Sequence, residues 1–180
     1  MDYSKNADKW EDCSSPQTIS GTTYEVVTDL ATEPVDLEFF KEHARIDFDT
    51  DDTLAQKYLK AARIQLEKWS MLSFGVKTIE FSALEVCDNY KIMFGPVDAI
   101  TTAGFSNFKD NLTKGGKKVV FEYTTKNTLS LDENVQIAIC RYAAGLYMNR
   151  ENVIDSKLSA IALIDQAKLM LEPYRNIILF

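Results

Sequence analysis

The stretch from Val35 to Trp69, V-D-L-E-F-F-K-E-H-A-R-I-D-F-D-T-D-D-T-L-A-Q-K-Y-L-K-A-A-R-I-Q-L-E-K-W, constrains the fold more than any other part of the chain. It predicts two helices joined by a short acidic loop. Asp36 is placed to cap the first, its carboxylate accepting from free amides of the first turn. Leu37, Phe40 and Ala44 recur at helical spacing as one apolar stripe. The helix must stop near Arg45, because Asp47, Asp49, Asp51 and Asp52 follow almost in alternation. Carboxylates that close suit a turn and a new N-terminus, where the helix dipole favours negative charge. The second helix is expected from about Asp51 to Ser70. Ala55, Leu59, Ala62, Leu66 and Trp69 share one face, which Leu54, Tyr58 and Ala61 widen. Lys57, Lys60, Arg63, Glu67 and Lys68 fall mostly on the other side. A helix this long and amphipathic needs a partner to cover its stripe.

Beyond Trp69 the period changes. Ser73-Phe74-Gly75 ends the helix, with Gly75 available for a left-handed cap. Ile79 and Phe81 alternate with Thr78 and Glu80 as a half-buried strand. Cys87-Asp88-Asn89 reads as a turn, Tyr90–Phe94 as a second strand closed by Gly95-Pro96, and Val97–Phe105 as a weaker third. Gly115-Gly116 marks a turn within the polar segment 106–118. Val119, Phe121 and Tyr123 alternate with Val120, Glu122 and Thr124 as a fourth strand, which Thr128–Leu131 could extend. Asp132 then caps a helix with the stripe Val135, Ala138, Ile139, Tyr142 and Leu146, and with a thin side at Ala143-Ala144-Gly145. A last helix spans about Ser156 to Leu171, with Leu158, Ile161, Ile164, Ala167 and Leu171 aligned and Pro173 as its stop. The expected class is α+β: mainly a helical bundle, with a small antiparallel sheet or long hairpin inserted between N- and C-terminal helices. Residues 1–33 are expected as an extended or partly disordered arm, in which Thr22–Val27 could form a short strand on contact with a neighbour. Residues 34–175 form the domain and 176–180 an apolar tail.

With 180 residues the chain can bury a real core. Its net charge of -7 argues against gripping a phosphate backbone. The three cysteines, Cys13, Cys87 and Cys140, are scattered and suggest neither a disulfide framework nor a zinc site. The N-terminus lacks a signal-peptide pattern, and no apolar run approaches membrane-spanning length.

Catalytic chemistry finds little support. The lone histidine, His43, has no orienting partner in sequence. Counted from Asp47, a calcium loop would need Gly at its sixth position and Glu at its twelfth; Asp52 and Tyr58 stand there. Turn and cap roles fit those aspartates better. Lys114-Gly115-Gly116-Lys117-Lys118 lacks phosphate-loop spacing and reads as a solvated turn, whose lysines could touch a partner's acidic surface. Glu80, Glu85 and Glu122 form no marked acid/base couple. No catalytic, cofactor or metal residues are assigned. Ile177-Ile178-Leu179-Phe180 would be costly to leave in water, so the tail either folds back on its own core or docks onto another subunit.

The run Val35–Trp69 resembles the opening helix pair of the head-to-tail connector (adaptor) proteins of tailed bacteriophages, through Phe40-Lys41, Arg45-Ile46-Asp47, Asp51-Asp52, Ala61-Ala62, Glu67 and Trp69. K-I-M-F-G-P-V-D-A-I-T-T-A-G-F is similar to that family's strand, Pro-Val turn and next strand. V-Q-I-A-I-C-R-Y-A-A-G-L-Y-M-N-R-E resembles its C-terminal helix, closing with Tyr147, Arg150 and Glu151, and Pro173–Arg175 also fits. The resemblance covers residues 34 to 175 in order; the proline common before the C-terminal helix is replaced by Leu131-Asp132-Glu133.

The resemblance implies a structural virion protein, assembled in the host cytoplasm and carrying no cofactor. Its copies would form a ring, dodecameric by portal symmetry, joining the portal at the capsid vertex to neck or tail proteins. DNA would pass through without specific binding, and no membrane is involved. The expected contact with portal or neck is Ile177, Ile178, Leu179 and Phe180. The expected subunit interface is the face of the second helix and the sheet edge, with Tyr58, Arg63, Lys117 and Lys118. Competing readings are a tail-completion or stopper protein of the neck and, from another class, a soluble helical interaction module outside virions.

Overall fold

The structure, a computed structural model, describes residues 22–83, 92–102, 119–127, 132–149 and 154–175. The elements are β1 (Thr23–Thr28), α1 (Leu37–Ala44), α2 (Asp52–Ser70), β2 (Thr78–Ala83), β3 (Val97–Ile100), β4 (Val119–Thr125), α3 (Glu133–Met148) and α4 (Ile154–Leu171), followed by a 3-10 turn, Glu172–Tyr174. This is the α+β arrangement expected, with a sheet set between helices.

The helix ends follow local chemistry. Asp36 accepts from the Phe39 amide at 2.7 Å, and Arg45, at φ 55°, closes α1 in the left-handed region. Asp132 caps α3 by accepting from the amides of Asn134 and Val135. The end of α2 differs from expectation. Met71, at φ 57°, is its left-handed cap, with its amide turned to the Glu67 carbonyl, and Gly75 lies beyond it. Gly75 has another reason to lack a side chain: a Cβ there would stand 2.4 Å from Leu30 Cδ2 and push that methyl aside.

Helix α3 is the hub. It packs along both α2 and α4, whereas α2 and α4 barely touch. Ala55, Leu59, Ala62 and Leu66 of α2 are buried with Val135, Ala138, Ile139, Cys140 and Ala143 of α3, closed by Ala167 and Leu171 of α4. The predicted stripes of α2 and α3 thus face one core, although Leu54 is exposed. The α4 stripe holds only at its C-terminal half: Ile161 points outward at 53% exposure, and the side chain of Leu158 lies outside the described residues.

The sheet is antiparallel, with strand order β1-β2-β4-β3. Its apolar face buries Ile79, Phe81, Ala83, Phe121 and Tyr123 as a second core. Strand β1, read from sequence as a short strand that could form on contact with a neighbour, pairs with β2 of its own chain from Thr23↔Ser82 to Thr28↔Thr78. The predicted strand Tyr90–Phe94 is absent in its described part. Ile92–Phe94 is a bend, with Phe94 at φ 56° leading into a cis Gly95–Pro96 bond. Left-handed backbone at Phe94 is incompatible with continuing a strand. The turns expected at Cys87–Asn89 and Gly115-Gly116, and the strand extension Thr128–Leu131, lie outside the described residues.

Candidate interaction surfaces

The largest departure from the sequence reading lies on the polar side of α2. Arg63 and Glu67, expected toward solvent, are buried at 0% and 3% exposure. The segment following β1 folds over them. Arg63 Nε donates to Glu33 Oε2 at 2.6 Å, its Nη2 to Asp29 Oδ2 at 2.9 Å, and its Nη1 to Glu67 Oε2 at 2.9 Å. Lys77, also buried, donates to Glu67 Oε2 at 2.5 Å and faces Asp29 Oδ1 at 3.5 Å. Glu67 Oε1 accepts from the Phe74 amide. Two buried cations and three carboxylates thus offset one another's charge, which is the condition for burying it at all, although the buried Asp29 Oδ1 accepts no hydrogen bond and has only the Lys77 ammonium nearby. Burial disfavours the charged guanidinium, but its bonds to Glu33 and Asp29 outweigh that and raise its pKa further. For Asp29, burial alone would raise the pKa; the bonds from Arg63 and the Leu30 amide instead hold it well below the carboxylate range.

This network also locks sheet to helices. Thr125 Oγ1 donates to the Gly75 carbonyl at 2.6 Å and accepts from the Lys77 amide at 2.9 Å, in a site shared with Ser73. The junction from α2 to β2 is therefore pinned by buried hydrogen bonds.

The acidic loop between α1 and α2 is held by local pairs. Lys41 Nζ donates to Asp49 and to Asp52, the latter at 2.8 Å. Those bonds raise the Lys41 pKa and lower that of Asp49. Asp51, the N-cap of α2, makes no side-chain cap bond; Tyr147 Oη donates to its Oδ2 at 2.7 Å. The Tyr147 ring meets Tyr58 edge-on, centroids 6.0 Å apart. At the other end of α2 the Arg175 guanidinium stacks over Trp69 at 4.8 Å. No group of three or more His, Cys, Asp or Glu among the described residues could hold a metal ion.

Of the interface and docking residues singled out from sequence, only Tyr58 and Arg63, both on α2, are among the described residues. Tyr58 is half-buried against the helical core. Arg63 is enclosed by its own chain, so its guanidinium serves the arm rather than a free surface. Lys117, Lys118 and Ile177–Phe180 lie outside the described residues, as do Arg150 and Glu151. His43 is exposed on α1, with its pKa lowered by partial burial and by Arg141. The Cys140 thiol is buried, and that burial pushes its pKa to about 12.

Sequence reasoning missed three surface features. A groove of about 440 Å³ runs between residues 32–37 and the N-terminal half of α2, floored by Val35, Leu37 and Leu59. On α4, Ile161 and Leu169 stand 53% and 70% exposed. On the outer sheet face Glu25, Glu80 and Glu122 lie side by side across β1, β2 and β4, a repulsive register. That row was legible only through strand pairing, which alternation alone cannot supply.

No helix among the described residues is long and apolar enough to cross a membrane. No curated protein matches the chain. Two solved structures share the fold. One, in the neck of an empty gene transfer agent particle computed with C6 symmetry, is 17% identical with a TM-score of 0.60. The other, in the virion of a native gene transfer agent particle, is 16% identical with a TM-score of 0.59. Each likeness covers 81% of this chain and 95% of the other. The family model for phage gp6-like head-tail connector proteins matches residues 34–179, which take in the helix pair, strands β2 to β4 and both C-terminal helices but not β1. The chain belongs to the phage gp6-like head-tail connector family.

Proposed function

We propose that this chain is a ring-forming structural subunit of a particle neck. Copies join the portal at the capsid vertex to the neck or tail proteins below, and the ring continues the DNA channel. The observation that carries this reading is the family match across residues 34–179. Two features support it. The related fold occurs in the neck of a particle described with C6 symmetry, a setting that a repeated subunit fits. The conspicuous charges, Arg63, Glu67 and Lys77, are spent on holding the chain together rather than gathered in a cleft. In a ring, lateral contacts would run along α2 near Tyr58 and along the sheet edge, with Lys117 and Lys118 reaching a neighbour. The tail Ile177–Phe180 would dock on the portal or the next neck component.

An acidic subunit suits a channel through which DNA slides without being held, because like charge repels the phosphate backbone. The test is removal of the gene from the particle-producing genome. The expected result is filled or leaking heads and free tails that do not join, with the protein restored in trans rescuing them. Normal joined particles from the deletion, or particles devoid of this polypeptide, would overturn the reading.

A further inference from the structure

We propose that the segment from Thr22 to Glu33 is a strap that opens and closes as one unit on the rest of the domain, with Arg63 as its catch. The proposal concerns the single chain and stands whether or not the ring reading does. Strand β1 lies at the edge of the described sheet, paired with β2 on one side. Val26 and Val27 stand 50% and 53% exposed, so the strand takes little apolar surface out of water. The apolar anchors of the strap are Tyr24, whose ring meets Phe81 and Phe94 edge-on at 5.1 and 5.3 Å, and Leu30, seated against Gly75. Much of the remaining hold is charge. Asp29 and Glu33 both bond the Arg63 guanidinium, and Asp29 also faces Lys60 and Lys77 at 3.4 and 3.5 Å.

Such a fastening can be undone without opening the core. Units that open locally are those with few buried apolar contacts. Buried ions regain their hydration when they separate, which offsets much of the attraction lost. The catch is also incompletely satisfied when closed, since Asp29 Oδ1 is buried and accepts no hydrogen bond. The body keeps its own ties: Glu67 stays bonded to Arg63, Lys77 and the Phe74 amide. Beyond the strap the chain is fixed. Val35 is buried in the helical core, and the Pro34 carbonyl accepts from Gln136 Nε2 of α3 at 3.2 Å. The hinge therefore falls between Glu33 and Pro34, where the groove leaves the link unpacked against α2. The family match begins at residue 34, on the body side of that hinge. Open, the strap uncovers Arg63 and Lys77, beside Lys60, around the single carboxylate of Glu67. That is a cationic patch in a chain of net charge -7.

The test is amide hydrogen exchange of the full chain, read by NMR at low urea. The expected result is one shared opening for the bonded amides from β1 to Glu33, with protection roughly 100-fold or more below that of the buried part of α3. The β2 amides that donate to β1 join that opening, and those that donate to β4 do not. Arg63→Lys keeps the charge but loses the guanidinium fork, and should speed strap exchange about tenfold with α3 unchanged. A second variant fixes the strap at its far end. The hydroxyls of Thr23 and Ser82 stand 2.7 Å apart. Thr23→Cys with Ser82→Cys, in a chain carrying Cys13→Ser and Cys87→Ser, therefore places two thiols within bridging reach. Oxidation should slow exchange along the whole strap, residues 29–33 included, and reduction should restore it. Strap amides that exchange only with those of α3 would overturn the proposal. So would fraying residue by residue inward from Thr22. A bridged chain whose residues 29–33 exchange as in the reduced form would show that the segment does not move as a unit. Arg63→Lys exchanging as the parent does would remove Arg63 as the catch.

Discussion

The Arg63 guanidinium and the Glu67 carboxylate, one helical turn apart on α2, stand 2.9 Å from each other with almost no exposure to water. Such a pair is tolerated only because Asp29, Glu33 and Lys77 complete it. Arg63→Ala would leave carboxylates facing one another under the arm. Breaking a buried pair from one side costs about 3–5 kcal/mol. Chemical denaturation should show a loss of that order, and limited proteolysis should open the segment between β1 and Pro34 in Arg63→Ala but not in the parent chain. Lys57→Ala, on the same helix but exposed, should change stability by less than about 0.5 kcal/mol.

The same network sets a pH dependence. The folded pKa of Asp29 lies below its ordinary value of 3.8. A depressed folded pKa means that the unfolded chain takes up the proton first. The contribution is therefore fully present above the ordinary value and is lost as pH falls through it toward the folded one. Urea midpoints measured from pH 6 down to pH 2 should fall more steeply for the parent chain than for Asp29→Asn. At pH 7 the variant should already be the less stable of the two. Parallel curves for both would show that Asp29 does not draw on Arg63 for its charge.

What the sequence made legible was local. Asp36 and Asp132 cap their helices because a carboxylate one turn ahead of free amides acts within a few residues of itself. The α2 stripe was readable for the same reason. Arg63 and Glu67 were misjudged because the segment covering them, Asp29 to Glu33, arrives from the other side of α1. A charged residue at a polar helical position carries no mark of being covered. Ile161 failed in the opposite sense: periodicity aligned it with Ala167 and Leu171, but α3 covers only the end of that stripe. Of the interaction surfaces, the groove and the glutamate row needed tertiary geometry, since each joins residues from separate elements.

Tyr147 ties α3 to the start of α2 in two ways, by its hydroxyl on Asp51 and by its ring against Tyr58. Tyr147→Phe removes only the first. A hydrogen bond to a charged acceptor contributes about 1.5–3 kcal/mol, less where water can replace it, as at this half-buried site. Thermal melts should place Tyr147→Phe below the parent by a few degrees and Tyr147→Ala clearly further down. Equal melting of the Phe variant and the parent would mean that Asp51 is solvated rather than held.

The tail Ile177–Phe180 begins two residues past Arg175, which stacks on Trp69 at 4.8 Å. That stacking and the bonds of Tyr174 to Asp132 secure the chain up to the tail without using it. Deleting residues 177–180 should therefore leave the unfolding free energy within about 0.5 kcal/mol of the parent, as for a change remote from the core. In particles the same deletion should abolish joining of the ring to the component it docks on, because several large apolar side chains leave water there. Negative-stain images of heads from the truncated strain would show open vertices beside free necks. Should the truncated protein instead melt far below the parent, the tail packs on its own core, and its joining defect would follow from misfolding. Joined particles in normal yield would exclude the tail from docking altogether.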